Sequence, residues 1–202
     1  MRKVAIFMSD FHLGQKDRME EFRADEEFAE LLGRLSLKHA DDQVDLILLG
    51  DVLDLWTTIT DPDEVNPRSS ADVQFAFPAK PGSPEFGRAT AEEMARAVAV
   101  MDRHPKFFEA LGLFATFAAR RRVLYIPGNH DHSLVHPDLQ AEVRKRILSD
   151  DVRRIRNFAP AANLDALLDF PNYYYDPDLL KVYAEHGNQL AFAGSFRYGA
   201  LD

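Results

Sequence analysis

Four short stretches of this chain concentrate side chains that bind cations or move protons: Asp10-Phe11-His12, Gly50-Asp51-Val52-Leu53-Asp54, Gly128-Asn129-His130-Asp131 and Glu185-His186-Gly187. Between them they offer carboxylate oxygens, an amide oxygen and imidazole nitrogens. That mixture suits Mn²⁺, Fe²⁺ or Zn²⁺ better than an all-oxygen calcium cage. Each residue alone has a duller reading. Asp10 serves equally well to end a strand, Gly50, Gly128 and Asn129 to make turns, and His12 and His186 as half-buried imidazoles. Their joint placement is the informative feature, because the first three clusters each follow directly on a short apolar run.

Those runs, at 4–8, 46–49 and 122–126, read as buried parallel strands. Between the first two, Phe28, Leu31, Leu32 and Leu35 recur at helical spacing over 24–39, which makes a βαβ unit. Helices are expected at about 91–102, opened by Thr90 as N-cap with Glu93 behind it, and at 105–120 and 137–149. The stretch 152–170 has a weaker pattern. Tyr173-Tyr174-Tyr175 and the run 180–184 flank Asp176-Pro177-Asp178, predicting a hairpin that leads to His186. Alternating strands and helices specify an α/β layered domain, and in such sheets ligands bind where the strand C-termini open into loops. All four clusters fall on that pattern. The residues at about 57–89, rich in Pro, Gly, Ser and Asp, read as a long insertion in one domain spanning 1–202.

Composition narrows the function classes. The 202 residues are 46% apolar and 28% charged, an ordinary globular balance. With 24 basic against 33 acidic residues the formal charge is −9, which argues against a nucleic-acid partner held by a basic surface. The runs Arg120-Arg121-Arg122 and Arg144-Lys145-Arg146 read as solvated helix ends or faces, and Phe107, Phe108, Phe114, Phe117 and Trp56 as core or interface. The absence of Cys excludes disulfides, thiolate metal sites and cysteine nucleophiles, and with no leader-like N-terminal segment directs the expectation to the cytoplasm. No run reaches the roughly 20 apolar residues of a membrane span, which leaves peripheral membrane contact open.

In order and spacing the clusters resemble the calcineurin-like metallophosphoesterases, whose motifs run DxH, GDxxD, GNH[DE], a lone His and a closing GHxH. Four of these five are present, from Asp10 to His186. The resemblance implies an αββα sandwich holding two divalent ions, Mn²⁺ foremost with Fe²⁺ or Zn²⁺ as alternatives. It implies that Asp10 and His12 ligate one ion, Asn129 and His186 the other, and that Asp51 bridges them. A carboxylate between two dications offsets their repulsion and favours a bridging hydroxide at neutral pH, which attacks phosphorus in line. His130 then corresponds to the acid that protonates the leaving oxygen, and Asp54 to the carboxylate paired with it. The implied activity is hydrolysis of a phosphodiester or phosphoanhydride in a phosphorylated small molecule or nucleotide-type substrate.

Two departures shape that expectation. The closing GHxH is absent, since no His follows His186. This leads us to expect a fragment of a longer protein, with residues 191–202 poorly packed or paired with another chain; His132 and His136 are the alternative replacements. Leu55-Trp56 follows GDxxD where the Ser/Thr phosphatases of the family carry a phosphate-gripping Arg. The GDxxDLW form is more similar to the bacterial branch that includes UDP-2,3-diacylglucosamine pyrophosphohydrolases, although GNHD differs from the GNRD usual there. The competing expectations are a non-catalytic scaffold of the same fold that binds a partner, motivated by the missing motif, and a nuclease, which the charge disfavours.

Overall fold

The computed structural model describes residues 2–14, 22–56, 58, 88–155, 165–178 and 180–188. Most of the 57–89 insertion and all of residues 191–202 lie outside them. The protein is α/β. Four parallel strands form one sheet in the order β1 (Lys3–Met8), β2 (Gln43–Leu49), β3 (Arg121–Ile126) and β4 (Leu168–Asp169). The register pairs Met8 with Leu48 and Leu49 with Ile126, so β1, β2 and β3 finish together at one edge. The chemistry-bearing clusters begin there.

Both sheet faces are covered, which explains why β2 reads as an unbroken apolar run over 46–49. Val44, Leu46 and Leu48 face the main core, together with Val123 and Tyr125 of β3. That core is completed by α1 (Asp25–Lys38), α2 (Ala91–Arg103), α3 (Pro105–Ala115) and α4 (Pro137–Ile147), which contribute Phe28, Leu32, Val100, Phe107, Phe108, Leu111, Phe114 and Val143. The alternate residues Ile47, Leu124 and Ile126 face the other way. They pack against an antiparallel hairpin of β5 (Tyr174–Asp176) and β6 (Val182–Ala184) through Tyr174, with Val182 and Ala184 beside it. Helices, parallel sheet and hairpin thus make three layers. The second helical layer expected of an αββα sandwich is not among the described residues.

Local signals account for most boundaries. Thr90 and Glu93 form the reciprocal capping box at the start of α2, and the acidic first turn of α1 suits the positive end of its dipole. The α3 helix stops at Ala115 rather than running to 120, because the Thr116 hydroxyl donates to the Gly112 carbonyl (2.7 Å) and the chain turns into β3. The helix expected over 137–149 stops at Ile147, and a short α5 (Asp150–Ile155) follows.

Candidate metal centre

The loops after β1 and β2 are fastened to each other by backbone hydrogen bonds. The amides of Asp10, His12 and Leu13 donate to the carbonyls of Gly50, Asp51 and Val52 (3.2, 2.9 and 2.8 Å), and the Asp54 amide returns to Leu13 (2.9 Å). This pairing forces an unusual backbone. Asp10, His12 and Asp51 all adopt left-handed φ, at 56°, 48° and 53°. Each such residue costs of order 1–3 kcal/mol and persists only where its surroundings over-determine it. Two glycines make room for the side chains. A Cβ on Gly128 would lie 2.2 Å from Asp51 Oδ1, and one on Gly50, itself at φ 80°, would lie 2.2 Å from His186 Nδ1. The turn reading of these glycines is therefore incomplete, since they also admit the ligands.

Side chains from three strand ends and the hairpin converge on Asp51. Ligand atoms of His12, Asp51 and His130 lie within 4.8 Å of one another. His186 enters from β6, its Nε2 3.4 Å from Asp51 Oδ2 and 3.2 Å from Asn129 Oδ1. His130 is fixed from every side. Its amide donates to Asp51 Oδ1 (2.9 Å), its Nδ1 meets Asp54 Oδ1 (3.0 Å), and its ring lies between the stacked indole of Trp56 (4.3 Å) and the edge of His12 (4.5 Å). Six of the seven candidate residues are thereby gathered. The seventh, Asp10, sits on the same rim with an exposed side chain and is not part of the 4.8 Å group. Neither His132 nor His136 belongs to that group, and His132 lies beside Glu93 instead.

One buried carboxylate holds the loops in register. Asp131, with no solvent exposure, accepts from the amides of Gly128 (2.7 Å), Val52 (2.8 Å), Leu53 (3.2 Å) and Asp51 (3.3 Å) and from the Tyr125 hydroxyl (2.6 Å). Burial pushes its carboxyl above the ordinary range, against the pull of those donors, and pushes the Tyr125 hydroxyl up as well. Sequence reasoning placed Asp131 in a candidate cluster without a role, read Trp56 as core or interface, and read Tyr125 as a strand residue. Asp131 was within a motif and Tyr125 at an inward strand position, but only the loop-to-loop pairing shows what they touch.

The donor set fits a divalent cation. The Nδ1 of His186 faces the Leu49 carbonyl (2.8 Å), an arrangement that leaves Nε2 as the lone-pair nitrogen when Nδ1 carries the proton. That nitrogen then meets two further acceptors, Asn129 Oδ1 and Asp51 Oδ2. Three converging acceptors require a proton or a cation among them. In keeping with this, the Asp51 carboxylate beside His186 raises its pKa to about 9. Burial works to raise Asp51, but hydrogen bonds from His186 and the His130 amide outweigh it and the carboxyl is lowered. Burial likewise opposes the charge on His130, yet the Asp54 hydrogen bond and charge carry that imidazole upward.

Comparison with known proteins adds no family. No family model, curated protein or solved structure matches this chain. Among the described residues no helix is long and apolar enough to cross a membrane.

Proposed function

We propose that this protein is a metal-dependent phosphoesterase that hydrolyses a phosphodiester or phosphoanhydride. The observation that carries the reading is the convergence of His12, Asp51, Asn129, His130 and His186 at the C-terminal edge of the parallel sheet, on backbone held in the left-handed region at His12 and Asp51. Asp51 is central: its Oδ2 lies 3.9 Å from His12 Nε2 and 3.4 Å from His186 Nε2. Divalent ions bound there would supply Lewis-acid polarisation of the phosphoryl group and a water acidic enough to be the nucleophile near neutral pH.

The chain's own groups supply the rest. His12 would hold one side of the centre, with Asp10 at its rim, and Asn129 and His186 the other. His130 carries a proton that Asp54 stabilises, and delivers it to the departing oxygen. Trp56, stacked on that imidazole, keeps its ring plane fixed. The test is hydrolysis of bis-p-nitrophenyl phosphate by metal-stripped protein reloaded with Mn²⁺, beside Asp51→Asn and His130→Ala variants. Turnover in the parent and its loss in Asp51→Asn, with the fold intact by circular dichroism, is the expected result. A folded parent that takes up no divalent ion would refute the reading, and folded, metal-loaded protein without turnover would turn it into a binding scaffold.

A further inference from the structure

His186 reaches the centre on an element that has little to hold it. A two-stranded hairpin is marginal alone, and β5–β6 makes one apolar contact, Tyr174 with parts of Val182 and Ala184, against Ile47, Leu124 and Ile126, with Ala5, Leu49 and the Phe7 ring beside it. Toward the N-terminal edge of the parallel sheet, away from His186, the two sheets are joined by a polar network around one buried carboxylate, which the Tyr174 side chain reaches from the strand position paired with Ala184. Asp45, fully buried on β2, accepts two hydrogen bonds from the Arg122 guanidinium (2.9 and 2.8 Å) and one from the Tyr174 hydroxyl (3.3 Å). Lys3 of β1 lies 3.7 Å from the same carboxylate and donates to Asp176 of β5. At the other end His186 ties the hairpin to Leu49, Asn129 and Asp51. The hairpin is thus pinned at two ends, and one pin is the metal centre.

We propose that Asp45 is a positioning residue for His186: with Lys3, Arg122, Tyr174 and Asp176 it docks the hairpin on the parallel sheet so that the imidazole meets Asn129 and Asp51. This rests on the metal-centre reading above and adds a linkage to it. An ion held by His186 binds the docked hairpin and not the undocked one, so metal binding and docking stabilise each other. The sequence shows why the arrangement needs a polar anchor. Asp45 interrupts the apolar run of β2 on the face that the hairpin covers, and its charge has to be matched by residues that come from β1, β3 and β5.

Amide hydrogen exchange across the whole chain, with and without Mn²⁺, tests both halves. At Mn²⁺ about 100 times its dissociation constant, measured beforehand by calorimetry, linkage slows exchange of the β5 and β6 amides about 100-fold. In His186→Ala that slowing disappears. In the metal-free protein Tyr174→Phe, which keeps the apolar packing, speeds hairpin exchange by roughly 2- to 10-fold, the loss of one net hydrogen bond; Lys3→Met, which removes the cation that Asp45 and Asp176 share, speeds it by at least as much, and both leave the amides of β2 unchanged. A hairpin that merely packs on the sheet would respond to these two substitutions and ignore the metal. Parent protein that binds Mn²⁺ with no change in hairpin exchange overturns the linkage while sparing the metal centre. Parental exchange rates in both variants overturn the role of the Asp45 network, and a parent that binds no Mn²⁺ overturns this inference together with the reading beneath it.

Discussion

Replacing Asp131 by Asn is the most exacting probe of how the site is held. The carboxylate is fully buried and accepts five hydrogen bonds, three at Oδ2 from Val52, Leu53 and Tyr125 and two at Oδ1 from Asp51 and Gly128. An amide of the same size has one acceptor oxygen. With that oxygen in the Oδ2 position, the new NH₂ group points at the amides of Gly128 and Asp51, which are left as buried donors facing a donor. At about 1–3 kcal/mol for each orphaned group the cost is about 2–6 kcal/mol. That is a large share of a typical folding stability of roughly 5–15 kcal/mol. With a denaturant slope of about 2 kcal/mol per molar, the urea midpoint falls by about 1–3 M. Tyr125→Phe removes one donor without orphaning an amide and should cost about 1.5–3 kcal/mol. Asp131→Asn also removes the acceptor of the Asp51 amide, so if Asp51 holds the ion as proposed, Mn²⁺ affinity falls alongside stability. A midpoint within about 0.3 M of the parent, on a slope of that size, would show that the five contacts do not carry the loops.

Three further outcomes follow from the geometry. If His130 delivers a proton to the leaving oxygen, His130→Ala slows hydrolysis of an alkyl phosphodiester by about 10²- to 10⁴-fold, but slows a p-nitrophenyl ester far less, because p-nitrophenolate departs unprotonated; equal losses on both would count against the acid role. In Gly128→Ala the new methyl carbon falls 2.2 Å from Asp51 Oδ1 and 2.6 Å from its amide nitrogen, so calorimetry should find Mn²⁺ affinity reduced about 10- to 100-fold in a protein with a native circular-dichroism spectrum. Burial lowers the His132 pKa below its ordinary 6.5, with the nearby Glu93 opposing; the unfolded chain therefore takes up that proton first, and the contribution, present above about pH 6.5, is lost as pH falls from there through the lower folded value. Urea midpoints of His132→Gln compared with the parent should converge as pH drops from 7 to 5, and a constant difference would place the effect elsewhere.

The elements that were legible in the sequence are those whose signal is local. The run through β2, the spacing of Phe28 and Leu32 in α1, and the Thr90–Glu93 box are written within a few residues, and the structure has all three. The hairpin was legible as two short runs around Asp176-Pro177-Asp178. Its partner was not, because the match between its inward Tyr174 and the buried Asp45 spans most of the chain. The β4 strand, Leu168–Asp169, was invisible for a different reason: two residues are too short for any period, and only pairing with Val123 and Leu124 makes them a strand.

The candidate site divides along the same line. Chemistry-bearing residues announce themselves by type, so Asp51, His130 and His186 could be named from their motifs. The groups that hold them look like ordinary residues until the loops are laid together. Asp131 in sequence is one more acid in a chain with an excess of acids, yet in space it is the acceptor on which the loops after β2 and β3 close. The left-handed backbone at Asp10, His12 and Asp51 has no local signature either, since none of the three is glycine. It is imposed by the pairing of one strand's loop with the next, and that pairing exists only because β1 and β2 end in register. Strain of this kind has to be balanced by contacts outside the ligand set. The residues most worth mutating are therefore as much Asp131, Trp56 and Asp45 as the candidate site residues beside them.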